Sequence, residues 1–316
     1  MAMTNRKISA EPARRPLWRW LLPMLLLLCA AAPLPAQDMR AEVERILTSP
    51  QSRAGQHVEH LVALGRPAVP ALLEKLRTAR HPMVIVEVLG RLGDPQATLP
   101  LVELLNRNEP FTREAGEYQA QRLILIAALR EIGDSRAEPL LRLILLDDQV
   151  EIATRLAAAT ALARLGSPET KAAASSFILE VAEATRRGHF GNLHTSGPFR
   201  LTDLDQALFE VGTAETQSML IERLRVSGLA HEELVLIQLL ASRLDAEAQA
   251  TLLQFSQRPD SEPYVRLQAV KALTELGGGY SDDLLLAALE DIRARLPAPL
   301  KEEARQLIED LAARRQ

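Results

Sequence analysis

The chain has 316 residues, 47% of them hydrophobic and 25% charged, with aromatics at only 3% and a formal net charge of −4. The length supports a sizeable core. Its single cysteine excludes an intrachain disulfide and any cysteine metal cluster, and the lack of a basic excess argues against nucleic acid as a partner, because nothing would balance the phosphate charge.

Residues 1–36 read as a secretory signal peptide. Arg6, Lys7, Arg14, Arg15 and Arg19 form a basic leader, Leu21 to Ala32 is an apolar run broken only by Pro23, and Leu34-Pro35-Ala36 offers a cleavage site before Gln37. An uncleaved inner-membrane anchor is the alternative, since Trp20 to Ala36 is an uncharged stretch of 17 residues, near the short limit of a span. Cys29 follows Leu28 rather than a small residue, which speaks against lipidation, and it falls inside the leader. Cleavage would take away five basic residues and one acidic one, leaving 32 against 40 and a net charge of −8. The expected location is periplasmic or secreted.

Residues 37–316 read as a single domain. Met39 to Leu47 is a helix that caps the near end. A phrase then recurs along the chain: Leu64-Gly65, Leu92-Gly93-Asp94-Pro95, Ile132-Gly133-Asp134, Leu165-Gly166-Ser167-Pro168, Val211-Gly212 and Leu276-Gly277. The intervals between these glycines are 28, 40, 33, 46 and 65 residues, and the last divides into 33 and 32 if Leu244-Asp245 marks a unit without its glycine. Before each glycine, apolar residues fall at steps of three and four, as in Val265-Arg266-Leu267-Gln268-Ala269-Val270-Lys271-Ala272-Leu273, which predicts an amphipathic helix ending at a left-handed glycine cap. After it, Asp or Ser with Pro suits the start of the next helix. Hairpins are expected at about 39–65, 67–93, 95–133, 135–166, 168–212, 214–245 and 246–277, with a final charged pair at 280–314.

Two intervals are long. Both excesses fall between the two helices of a hairpin, at Asn106 to Tyr118 and at Arg187 to Phe199, so the two insertions are expected on one rim, two repeats apart. Of the nine aromatic residues after the leader, Phe111, Tyr118, Phe190 and Phe199 fall within them. Aromatics on an edge loop make interface anchors, and with Arg113, Arg187, His189 and His194 they form the candidate partner-binding set.

With its V-R-x-x-A-x-x-A-L-x-x-L-G pattern at 265–277, the chain resembles the HEAT-repeat family, in particular the short bacterial type seen in phycobilisome-lyase-like repeats. The resemblance covers residues 40 to 314 and implies an all-α fold: a right-handed α-solenoid of about seven to eight helical hairpins. It also implies that Arg122, Arg155 and Arg266, in one column, and Asp94 and Asp134, in another, form a structural ladder from the inter-repeat turn to the helix beside it. Most members are scaffolds or adaptors, so the expected role is non-enzymatic.

Other candidates have plain structural explanations. His57 and His60 stand one helical turn apart, as two metal ligands can, but they occupy small-residue columns of the end repeat. His231-Glu232 is similar to the dipeptides of the repeat-built di-iron hydroxylases, yet only one such pair is present, and Glu232 and Glu233 suit a helix N-terminus. No nucleophile elbow, phosphate loop or zinc signature occurs. The expected function is an exported scaffold holding a protein or peptide partner, with no cofactor, no metal and no catalytic residue; the alternative is a lyase- or chaperone-like protein that handles a small molecule or cofactor.

Overall fold

The computed structural model describes residues 36–48, 54–79, 82–107, 115–188, 200–243, 245–275 and 282–314. The described residues contain sixteen α-helices and no strand. They are α1 (Ala36–Thr48), α2 (Ala54–Ala63), α3 (Val69–Lys75), α4 (Pro82–Leu92), α5 (Thr98–Arg107), α6 (Ala115–Ile132), α7 (Glu138–Leu146) and α8 (Ile152–Leu165). Then come α9 (Pro168–Arg187), α10 (Leu201–Val211), α11 (Ala214–Val226), α12 (Ala230–Ser242), α13 (Ala246–Ser256), α14 (Pro263–Glu275), α15 (Asp282–Arg295) and α16 (Ala298–Arg314).

The helices pair into hairpins and the hairpins stack as a helical solenoid. Each even-numbered helix from α2 to α14 packs on the next even-numbered one, so these helices form one continuous layer. The odd-numbered helices form the second layer. One apolar core runs between them, from Met39 and Val43 on α1 to Leu311 on α16. Because α8 meets α6, α7, α9 and α10, its buried residues lie on nearly every side.

The recurring glycines end helices as expected, with one difference in cause. Gly65, Gly93, Gly133 and Gly212 have φ between 61° and 73°, where a Cβ is strained. Gly166 instead has φ −70°, an ordinary value. A Cβ there would meet the Leu162 carbonyl oxygen at 2.6 Å, so close approach is what requires this glycine. Leu244 and Gly277 lie outside the described residues, whereas Asp245 caps α13 through the Ala248 amide at 2.8 Å.

The two inserted stretches are partly helical. α6 has 18 residues and α9 has 20, against 14 in α8, and α5 runs to Arg107, so residues 106–107, 115–118 and Arg187, expected in the insertions between helices, belong to helices.

Polar contacts one repeat apart tie the inter-repeat turns together. Thr98 donates to Asp134 at 3.0 Å, and the Ser167 and Thr170 hydroxyls donate to Glu138 at 2.7 and 2.6 Å. The expected ladder thus holds for Asp134, but the arginine column does something different. Arg155 donates to the Leu145 carbonyl at 3.0 Å and Arg266 to the Ser256 carbonyl at 2.8 Å, each ten residues back. Each guanidinium therefore closes the carbonyl end of the first helix of its own hairpin, where a positive charge also opposes the helix dipole, and Arg266 in addition donates to Asp291 on α15 of the next hairpin at 2.8 Å. The two columns stabilise opposite edges of the array.

Candidate functional site

The even layer has a solvent face, and registering its helices on the glycines shows what lines it. Nine residues before the glycine stand Val84, Ile124, Ala157 and Asp203; six before it stand Glu87, Ala127, Thr160 and Gln206. On α6 and α8 these positions are small or apolar. Ile124 and Ala157 are half-buried although no further helix among the described residues covers them, while Ala127 is exposed.

The result is an open groove of about 690 Å³ running across α6, α8 and α10. Its floor is low because α8 presents Ala153, Ala157 and Thr160, spaced by four and three, so no long side chain rises there. Its sides are higher. α6 contributes Gln119, Leu123, Ile124 and Arg130, and α10 contributes Thr202, Asp203 and Gln206. A groove with apolar depth and a hydrogen-bonding rim is the usual chemistry of a recognition surface.

The electrostatics are nearly balanced. Arg130 pairs with Glu131 at 2.8 Å, and Glu131 also receives Arg164 from α8 at 3.4 Å. The same kind of link recurs along the layer: Glu59 to Arg91 at 2.6 Å, Lys271 to Glu303, and Arg243 stacked on the Phe209 ring at 4.2 Å. These contacts join neighbouring helices of the layer and hold them in register. On α6 and α8 the middle of the groove, at Ile124, Ala127, Ala157 and Thr160, carries no charge, while α10 brings Asp203 to its side.

Phe111, Arg113, His189, Phe190, His194 and Phe199 lie outside the described residues, as does the side chain of Tyr118, whose backbone is in α6. Arg187, the last residue of α9, is exposed and pairs with Glu183 at 2.6 Å. The two inserted stretches nevertheless lead into α6 and α10, the two helices that flank the groove floor. The signal that finds Ile124 and Ala157 is also in the sequence: apolar or small residues in columns that should face water.

The histidine candidates fall elsewhere. His57 is half-buried and His60 exposed on α2. His231 is exposed, and Glu232 accepts from Ser227 at 3.4 Å and lies 3.7 Å from Arg223, so its carboxylate helps hold the turn between α11 and α12. Arg223 also pairs with the fully buried Asp205, whose carboxyl is pushed up by burial against the pull of that guanidinium. No group of three or more His, Cys, Asp or Glu among the described residues is placed to hold a metal, and no helix among them is long and apolar enough to cross a membrane.

A family model described as PBS lyase HEAT-like repeat matches residues 84–107, the stretch from α4 to the end of α5 centred on Leu92-Gly93-Asp94-Pro95. Those residues are a HEAT-like repeat. No curated protein matches the chain. Among solved structures, human deoxyhypusine hydroxylase in complex with glycerol is similar at 19% identity and a TM-score of 0.35, over 89% of this chain and 99% of its own. A likeness that loose carries no argument about function.

Proposed function

We propose that this chain is an exported, non-enzymatic scaffold of HEAT-like repeats, a right-handed solenoid of seven to eight hairpins that holds an extended segment of a partner protein across its even-numbered helices. The carrying observation is the groove over α6, α8 and α10, apolar at its floor and polar at its rim. Neighbouring helix axes lie roughly 8–10 Å apart, so the groove spans about 20 Å, which an extended chain rising about 3.3 Å per residue covers in about six residues. In this reading residues 1–36 direct export and are removed, and the partner is met in the cell envelope.

A second reading keeps the same groove for a small molecule or cofactor, as in a lyase- or chaperone-like protein. It is supported by the volume, which falls within the roughly 300–1,000 Å³ of ligand sites. Its openness on one side favours the peptide.

The test places a photo-crosslinking residue at position 127 or 206 in the groove, or at exposed Leu143 on α7 in the other layer, in cells that express the full chain. The groove positions should trap a protein that position 143 does not. Ala157→Phe, which fills the floor, should abolish the trapping with helicity unchanged, and replacing 187–199 by a Gly-Ser linker should weaken it. Equal trapping from position 143, or none from the groove, would refute the proposal.

A further inference from the structure

The joint between α10 and α11, where one hairpin meets the next, differs from the others in kind. Seven residues before the glycine and eleven after it, the preceding joints carry Val86 with Leu104, Ile126 with Ile144, and Ala159 with Phe177, apolar in both places. With Leu244 in the glycine's place, the following joint carries Ile237 with Phe255. Between them stand Asp205 and Arg223. Asp205 is fully buried and Arg223 largely so, and the guanidinium donates to the carboxylate from both Nε and Nη2, the latter at 3.0 Å. A buried ion pair thus stands where four other joints place hydrocarbon.

The neighbouring contact is weak as well. Between α10 and α12 the Arg243 guanidinium stacks on the Phe209 ring at 4.2 Å and covers Gly212 so closely that a Cβ there would collide with it. The contact of α10 with α12 is the least extensive between successive even-numbered helices from α2 to α14, whereas α8 and α10 pack as extensively as α6 and α8. Opening an apolar joint exposes hydrocarbon and is opposed by the hydrophobic effect. Opening this one returns a carboxylate and a guanidinium to water, and the hydration they recover offsets much of their mutual attraction. Among these joints it is therefore the one that resists separation least, and sub-global opening follows such interfaces.

We infer that this joint is a hinge: α1 to α10 move as one block, and α11 to α16 form a second block that swings against it. The groove keeps its shape during the motion, because α6, α8 and α10 all lie on one side of the hinge. Resting on the reading of the groove as a partner site, the consequence is that a partner running beyond α10 meets a second surface whose angle it selects. The hinge itself does not depend on what the groove holds.

Double electron–electron resonance on the full chain, with Cys29→Ala to remove the native thiol, compares two pairs of spin labels that each span two joints. Asn106 on α5 with Ser176 on α9 spans apolar joints, and Ser176 with Ala250 on α13 spans the ionic one; all three positions are exposed. The second distance distribution should be about twice as broad as the first. Asp205→Val/Arg223→Leu, which gives this joint the apolar character of its neighbours, should narrow the second distribution to the breadth of the first. If that pair fails to fold, Asp205→Asn/Arg223→Met, closer in shape, gives the same comparison. The inference is overturned if the two label pairs are equally broad while Asp205 and Arg223 are in place, or if removing the ion pair leaves the second distribution unchanged. No partner is present in this measurement, so the groove is judged separately by cross-linking from positions 127 and 206.

Discussion

Gly90 lies inside α4, where a glycine costs helix stability relative to alanine by about 1 kcal/mol, yet Gly90→Ala is expected to destabilise the protein. A Cβ at position 90 would lie 2.8 Å from the Cα and 3.0 Å from the Cβ of Ala128 on α6. Two of these atoms cannot approach so closely, and the nearer obstacle is backbone, so α4 and α6 would have to move apart. Overpacking of this kind costs about 1–3 kcal/mol. It acts on the most extensive helix contact of the array, between α4 and α6. Set against the propensity gain, the net effect is a loss of about 1 kcal/mol, with Gly90→Val worse because it adds bulk and a β-branched side chain. Urea unfolding followed by helicity measures it. Ala128→Gly removes one of the two obstructing atoms, so the Gly90→Ala/Ala128→Gly pair should be less destabilised than the sum of the singles by at least about 0.5 kcal/mol. If Gly90→Ala stabilises the protein by the full helix-propensity term, the close approach of α4 and α6 is wrong.

The remaining predictions concern the joints between repeats. Gly93→Ala and Gly133→Ala force a side chain into the left-handed region and should each cost about 1–2 kcal/mol in urea unfolding, whereas Gly166→Ala should be destabilising through the clash with the Leu162 carbonyl and Thr170 instead, so that Asn rescues the first two and not the third. Arg266→Met removes a charged hydrogen bond to the Ser256 carbonyl from a side chain only 2% exposed, an expected loss of about 1.5–3 kcal/mol by the same assay. The Arg136 guanidinium beside Asp134, with the Arg136 amide and the Thr98 hydroxyl, holds the Asp134 carboxyl down at about 2, against an ordinary 3.8. A depressed folded pKa gives stability that is complete above pH 5 and lost as pH falls through 4 towards 2, about 2 kcal/mol at most. Asp134→Asn should flatten that limb of the stability profile, and an unchanged acid limb would sink the assignment.

The glycine spacing located the joints because a left-handed cap leaves a residue-specific mark, and because Asp, Ser and Pro after it have a local reason to be there. Gly166 shows the limit of such marks: the same letter stands at the same place for a different cause, a close carbonyl, which depends on backbone positions that no local pattern encodes. The arginine column is equally visible, but its acceptors are not. Its spacing identified Arg155 and Arg266 as equivalent, but their acceptor, a carbonyl ten residues upstream, is brought near only by the turn of the hairpin. The candidate site also depends on what lies side by side across repeats. The groove is made by what α8 lacks: Ala153, Ala157 and Thr160 are short where Leu123, Ile124 and Gln206 on its neighbours are long. A recess between parallel helices is a difference in side-chain height across three repeats, and it becomes legible only when the repeats are set in register and read column by column. By that measure the bulk of a single residue controls the site, which is why Ala157→Phe is expected to close the groove while leaving the core behind α8 intact.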